Sequence, residues 1–265
     1  MHRVEPKRRY SISKSQVDIL LYLYKYRFLT SDLLAMLLQK DRSTIYERLS
    51  VLVDQGYVVK QYDRTFRLRR RPATYCLAPA GIRYLKQQGI ERTQLHYKSR
   101  TFTEEQIDEQ LLYAKFGIVL KSSYEESFEI YTKYELKHGA YVLPTPHLLL
   151  QLIQGKSDTL PDYVLDYFPA FTASWRLKRR INQHDEAADE LETIYPHLLL
   201  VAGNARTERR LVLFTQELYA DFEVFVTTTE RLISGEKKIW LISVETDLEE
   251  DEMERVSLPL FYGGN

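Results

Sequence analysis

The chain has 265 residues, 44% hydrophobic and 28% charged, and its neutral total hides a split: residues 1–100 hold 21 Lys plus Arg against 8 Asp plus Glu, and the rest hold 16 against 29. The composition excludes a disordered chain, and the length suits one large domain or two ordinary ones. One cysteine, Cys76, excludes an internal disulfide and a cysteine-built zinc cluster, and no apolar run reaches the ~18 residues of a membrane span.

Met1–Tyr10 is basic, but no apolar run with a small-residue cleavage site follows, so no signal peptide is expected and the chain reads as cytoplasmic. Val17, Leu20, Leu21, Tyr24 and Phe28 keep helical spacing and predict a first helix with one buried face. Thr30 can cap a second helix, Ser31–Leu38, with Leu33, Leu34, Leu37 and Leu38 inward. Asp41–Ser43 makes the turn into a third helix, about Ser43–Gln55, with Ile45, Leu49, Leu52 and Val53 as its buried stripe and Gly56 as its left-handed end. Arg42, Ser43, Thr44, Tyr46, Glu47 and Arg48 cluster at its N-terminus, where a recognition helix presents hydrogen-bonding side chains to a major groove. Tyr22, Tyr24, Tyr26 and Tyr46 read as packing residues rather than stacking surfaces.

A β-hairpin follows, Tyr57–Tyr62 and Thr74–Leu77, around a ten-residue segment, Asp63–Pro72, with five arginines: Arg64, Arg67, Arg69, Arg70 and Arg71. A planar, weakly hydrated guanidinium suits phosphates and narrow minor grooves, so this segment reads as a basic wing. A short helix, Ile82–Gln88, closes the region. The stretches LTSDLLAMLLQKDRSTIYERLSVLVDQGYV and YCLAPAGIRYL resemble the winged helix-turn-helix domains of bacterial transcription regulators and plasmid control proteins. The resemblance implies a domain over residues 1–95 that binds double-stranded DNA, with a homodimer reading two half-sites.

Glu91–Arg100 is polar and basic and serves as a linker. Beyond it, residues 96–265 read as a mixed α/β domain: a helix Glu104–Tyr124, a strand Phe128–Tyr134, a strand Leu160–Tyr167, a charged helix within Arg176–Tyr195, a strand His197–Val201, a helix Thr207–Tyr219, a strand Phe222–Val226, a turn or short helix Thr229–Leu232 and Lys238–Leu241. Strands alternating with helices predict a partly parallel sheet. The acidic tail Glu245–Glu254 reads as solvated and the chain end as frayed. Leu160-Pro161-Asp162, YPHLLLVAGNARTERRL and FEVFVTTTERLISGEKKIW, taken with the winged helix, resemble the replication-relaxation family of plasmid-encoded and related bacterial proteins. That resemblance implies a restriction-endonuclease-like C-terminal fold and a role in plasmid or mobile-element replication, relaxation or transfer.

A restriction-type nuclease places Pro-Asp on one strand and further carboxylates on the next, which together hold Mg²⁺. Asp162 fits the first position and Glu135 could be an upstream acid, but the segment read as the next strand, Phe171–Lys178, carries no acid, and Asp166 reads as lying inside the first strand. The expected C-terminal domain is therefore a degenerate, inactive nuclease fold used for dimerisation or partner docking. The six histidines show no metal-ligand spacing, and there is no Gly-rich phosphate loop or Gly-x-Ser-x-Gly elbow, so no cofactor or metal is expected. Arg176, Lys178, Arg179 and Arg180, with Arg206, Arg209 and Arg210, form two basic clusters on the acidic domain; they read as solvated faces or ion-pair partners, or as flanking DNA contacts. Three functions compete: a sequence-specific duplex-DNA-binding regulator or accessory factor, a metal-dependent nuclease, and an assembly adapter docking a protein partner. The missing carboxylate argues against the second and the arginine segment against the third.

Overall fold

Helix α1, Lys14–Tyr26, starts where Gln16 Oε1 accepts the backbone N–H of Ser13 at 2.9 Å. The computed structural model describes residues 12–62, 68, 70–90, 102–123, 128–132, 135, 148–152, 163–190, 196–216, 222–234, 240–244 and 255–257, and the chain divides into two units after Leu111.

In the N-terminal unit, α1 buries Ile19, Leu20, Leu23 and Tyr24, and Arg27 at φ 69° turns the chain into strand β1, Leu29–Thr30. Helix α2, Ser31–Leu38, is capped as its sequence implies, with the Thr30 hydroxyl accepting Leu33 N–H at 3.3 Å. Helix α3, Arg42–Asp54, fully buries Ile45, Leu49 and Leu52. It ends in a Schellman turn at Gly56 (φ +75°), where Tyr57 N–H reaches the Leu52 carbonyl and Gly56 N–H the Val53 carbonyl, both at 2.9 Å. Strands β2, Val58–Gln61, and β3, Thr74–Leu77, pair antiparallel, and β1 adds to the other edge of β3, giving the order β1-β3-β2. Three helices followed by a hairpin whose sheet takes in a short strand from between the first two helices is the winged-helix arrangement.

Helix α4, Pro79–Gln87, begins three residues before the expected Ile82, because a proline with its fixed φ is at home in the first turn. Leu37, Leu38 and Val53, expected inside, are only half-buried. Helix α5, Glu104–Ser123, places its first two turns in the N-terminal unit, where Ile107 packs with buried Phe28 and Cys76, and Phe102 meets Phe28 edge-on at 5.2 Å. The expected linker, Glu91–Arg100, lies outside the described residues.

The C-terminal unit is a mixed sheet: β4 Phe128–Thr132, β5 Leu148–Leu152, β6 Tyr163–Phe168, β7 His197–Ala202, β8 Val224–Thr228, β9 Trp240–Val244 and β10 Arg255–Ser257, in the order β10-β9-β8-β7-β6-β5-β4. The central pairs β6-β7 and β7-β8 are parallel and the rest antiparallel, which matches the partly parallel sheet expected. Alternate residues separate the layers. Tyr163, Leu165, Leu199, Val201 and Phe225 pack with Phe116 and Leu120 of α5 and with Leu232 of helix α8, Thr229–Ile233. Val164, Leu198, Leu200 and Val226 pack with Leu177 and Ile181 of helix α6, Ser174–Glu190, and with Leu211 and Val212 of helix α7, Ala205–Thr215.

Two readings of the C-terminal unit are corrected. Phe171–Lys178, read as a strand, is a turn and the start of α6; Ser174 opens the helix and the next strand is β7. Strand β5 was not expected, because its three consecutive leucines, Leu148–Leu150, lack the alternation of a half-exposed strand. Near the chain end Arg255–Ser257 pairs antiparallel with β9, and residues 258–265, read as frayed, lie outside the described residues. The acidic tail Glu245–Glu254 lies outside the described residues.

Candidate nucleic-acid interface

The buried side of α3 fixes what its other side can present. With Ile45, Leu49 and Leu52 inward, Arg42, Ser43, Tyr46 and Glu47 face water and Thr44 and Arg48 sit half-buried at the margins. Thus all six residues expected at this helix are accessible on its N-terminal half. Arg42 Nε pairs with Asp32 of α2 at 2.7 Å, an exposed pair that positions the side chain more than it stabilises the fold. Tyr46 is not a packing residue: its ring is 52% exposed, whereas Tyr24 and Tyr26 are buried as expected. Lys60, at the exposed side of β2, holds its ammonium over the Tyr46 ring at 5.6 Å and over the Tyr62 ring at 5.5 Å. Sequence reading passed over Lys60. Val58 and Lys60, two apart, share one face of β2, and the strand carries Lys60 to its exposed part beside Tyr46 of α3.

The arginine segment is described in part. Arg64, Arg67 and Arg69 lie outside the described residues. Arg70 is exposed with a left-handed backbone (φ 53°), and Leu68 is exposed as well. Arg71 turns back into its own unit: its guanidinium pairs with Glu104 at 2.9 Å and with Asp108, both on α5. An arginine already facing two carboxylates offers less uncompensated charge to a phosphate than Arg70 does. Behind the sheet, burial pushes the Cys76 thiol up to about 11, against a smaller opposing pull from Arg27, so the thiol is a packing group.

Of the acids weighed for a nuclease site, Glu135 and Asp166 are described. Pro161 and Asp162 lie outside the described residues. Glu135 closes a turn by accepting the Thr132 backbone N–H at 2.9 Å. Asp166 on β6 is fully buried and held by two groups from α6: Arg180, with contacts at 2.5 and 3.1 Å, and His184 Nε2 at 2.9 Å. Arg180 and His184 are four apart, so one face of α6 delivers both to the same carboxylate. Among the described residues no group of three His, Cys, Asp or Glu could hold a metal ion, and no helix is long and apolar enough to cross a membrane.

No protein-family model matches the chain, and no curated protein sequence matches it. Two solved structures are similar in part. MepR, a transcription regulator of the Staphylococcus aureus multidrug efflux pump MepA, matches at 22% identity over 37% of this chain and 72% of that chain, with a TM-score of 0.26. A variant of Lactococcus lactis ZitR matches at 18% identity over 47% of this chain and 82% of that chain, with a TM-score of 0.27.

Proposed function

We propose that the N-terminal unit binds double-stranded DNA, with α3 in the major groove and the segment Arg64–Arg71 along the backbone or minor groove, and that the protein acts as a regulator. The observation that carries this reading is the split of α3. Its inner face is locked into the core, and its N-terminal outer face carries Arg42, Ser43, Tyr46 and Glu47, with Lys60 and Arg70 exposed on the hairpin side. A rigidly held helix bearing polar side chains, flanked by cations, is what reading base edges from a phosphate-anchored position requires. The finer role we attach is regulator or accessory factor in plasmid or mobile-element replication, relaxation or transfer, working as a homodimer. The element order and the quoted C-terminal segments support it. Genome-wide mapping of bound DNA and sedimentation at micromolar concentration test those two parts.

The direct test is binding of a fluorescently labelled duplex. Changing Arg69, Arg70 and Arg71 to Ala should weaken binding at every sequence and flatten its salt dependence, by about 0.9 in slope for each phosphate no longer neutralised. Arg71→Ala alone should contribute the least, because Glu104 and Asp108 already face that guanidinium. Thr44→Ala and Arg48→Ala should instead change sequence preference. A triple variant that binds with parental affinity and salt slope would sink the reading.

A further inference from the structure

The acidic C-terminal unit has one edge whose chemistry runs against its composition. Helix α6 opens with Trp175-Arg176-Leu177-Lys178-Arg179-Arg180 and closes with Asp185, Glu186, Asp189 and Glu190. Helix α7 carries Arg206, Arg209 and Arg210 in its first two turns. Both helices thus place cations at the N-terminus, where the macrodipole disfavours them. Arg180 is explained by Asp166, and Arg210 by the Thr172 carbonyl at 3.1 Å and the Ser174 hydroxyl. Arg176, Arg179, Arg206 and Arg209 are exposed, and among the described residues they make no ion pair or hydrogen bond of this kind.

Two large aromatic side chains share this edge. Phe171 is 97% exposed and Trp175 60% exposed. The turn that bears Phe171 is fixed against α7. Thr207 Oγ1 donates to the Ala170 carbonyl at 3.0 Å, and Gly203 sits so close to Ala170 that a Cβ there would collide with its backbone. The Arg176 guanidinium lies over the Trp175 ring at 5.1 Å. Phe171 follows the C-terminal end of β6, and Arg206 and Arg209 follow that of β7, the edge where parallel sheets hold ligands.

We propose that this edge binds single-stranded nucleic acid, with bases stacking on Phe171 and Trp175 and phosphates held by Arg176, Arg179, Arg206 and Arg209. Projecting rings need unstacked bases, which a duplex does not offer, and the arginines need a polyanion; a single strand supplies both. The site is separate from the duplex-binding surface proposed on the N-terminal unit and does not depend on it.

The test uses the full chain and an oligothymidylate within the ~4–16 nucleotides a single-strand site spans. Binding should quench tryptophan fluorescence, and Trp175→Phe should remove most of the quench, leaving Trp240, while a labelled oligomer still binds. The double variant Phe171→Ala, Trp175→Ala should lose roughly tenfold or more in oligomer affinity. Arg206→Ala with Arg209→Ala should reduce the salt slope by about 0.7 for each phosphate no longer neutralised. These residues are exposed, so the variants should keep the parental circular dichroism. The Arg69–Arg71 triple variant should bind the oligomer within about twofold of the parent while losing the duplex. The proposal is overturned if the aromatic double variant binds oligothymidylate like the parent, if the quench survives Trp175→Phe, or if the oligomer is lost with the Arg69–Arg71 triple.

Discussion

The two units differ in what they bury. Among the described residues the buried polar side chains of the N-terminal unit are non-ionic, Thr30, Ser31, Thr74 and Gln110 among them, whereas the C-terminal unit also encloses Asp166, His184 and Glu208. Burying a carboxylate requires a partner that repays its lost hydration. Asp166 has Arg180 and His184, and Glu208 has a two-pronged contact with Arg231 at 2.9 and 3.0 Å. A formal charge count places all these acids in water. Two of them are internal ion-pair partners, so the acidic total of this unit does not describe every part of its surface. The positive edge comes from where the remaining cations stand, with Arg176, Arg179, Arg206 and Arg209 at the starts of α6 and α7.

The largest effect expected from breaking this contrast comes from Asp166→Ala. It would leave Arg180 and buried His184 facing each other across an empty acceptor position, and truncating one partner of a buried ion pair costs about 3 kcal/mol. Both tryptophans, Trp175 and Trp240, belong to the C-terminal unit, so their fluorescence reports its unfolding. In urea the Trp-detected transition should move to lower concentration for Asp166→Ala and less far for Asp166→Asn, which keeps an acceptor. An unmoved midpoint in the alanine variant would mean that the buried cluster contributes nothing to stability.

The N-terminal unit should fail by crowding rather than by charge. Gly81 in α4 lies against the Tyr57 carbonyl, which also accepts the Ala78 N–H at 2.9 Å; a Cβ at position 81 would collide with that carbonyl and press on Leu77. Gly81→Ala should destabilise the unit by about 1–3 kcal/mol, as overpacking of a close contact does. Duplex binding should weaken at elevated temperature while the Trp-detected transition stays in place. A shift of both would show that the units do not unfold separately.

The same contrast explains what could be read from sequence. Elements of the N-terminal unit announce themselves locally: Thr30 before an apolar helix, Gly56 after one, and the spacing of Ile45, Leu49 and Leu52. Each signal acts within one or two turns. In the C-terminal unit the decisive contacts are distant in sequence. Nothing near Asp166 reveals that Arg180 and His184 will meet it, and that depends on α6 crossing back over β6. The strand β5 opens with three consecutive leucines, so period-two alternation gave no sign of it. The exposed aromatics were hidden for a related reason: Phe171 and Trp175 fell inside a segment read as a strand, whereas a turn and the start of α6 carry them and leave them exposed. At the proposed DNA-binding surface, the exposure of the helix residues was legible because a buried stripe defines its opposite face. The pairing of Arg71 with α5 was not, since Glu104 and Asp108 lie beyond the expected domain end.

The smallest effect separates burial from attraction at one histidine. His197 Nδ1 accepts the Glu223 backbone N–H at 3.0 Å, and the Nε2 side lies 3.8 Å from the Glu223 carboxylate. Burial lowers its pKa below the ordinary 6.5, outweighing the upward pull of Glu223. The unfolded chain therefore binds this proton more readily than the folded one, so the contribution is complete above pH 6.5 and is lost as pH falls through the lower folded value. In His197→Asn an amide oxygen can accept the same N–H without titrating. Urea unfolding followed by tryptophan fluorescence between about pH 5 and pH 8 should show the parent losing stability relative to this variant on the acid side, with a constant difference on the alkaline side. A parent that gains relative to the variant toward low pH would mean that the Glu223 carboxylate, not burial, governs this end of β7.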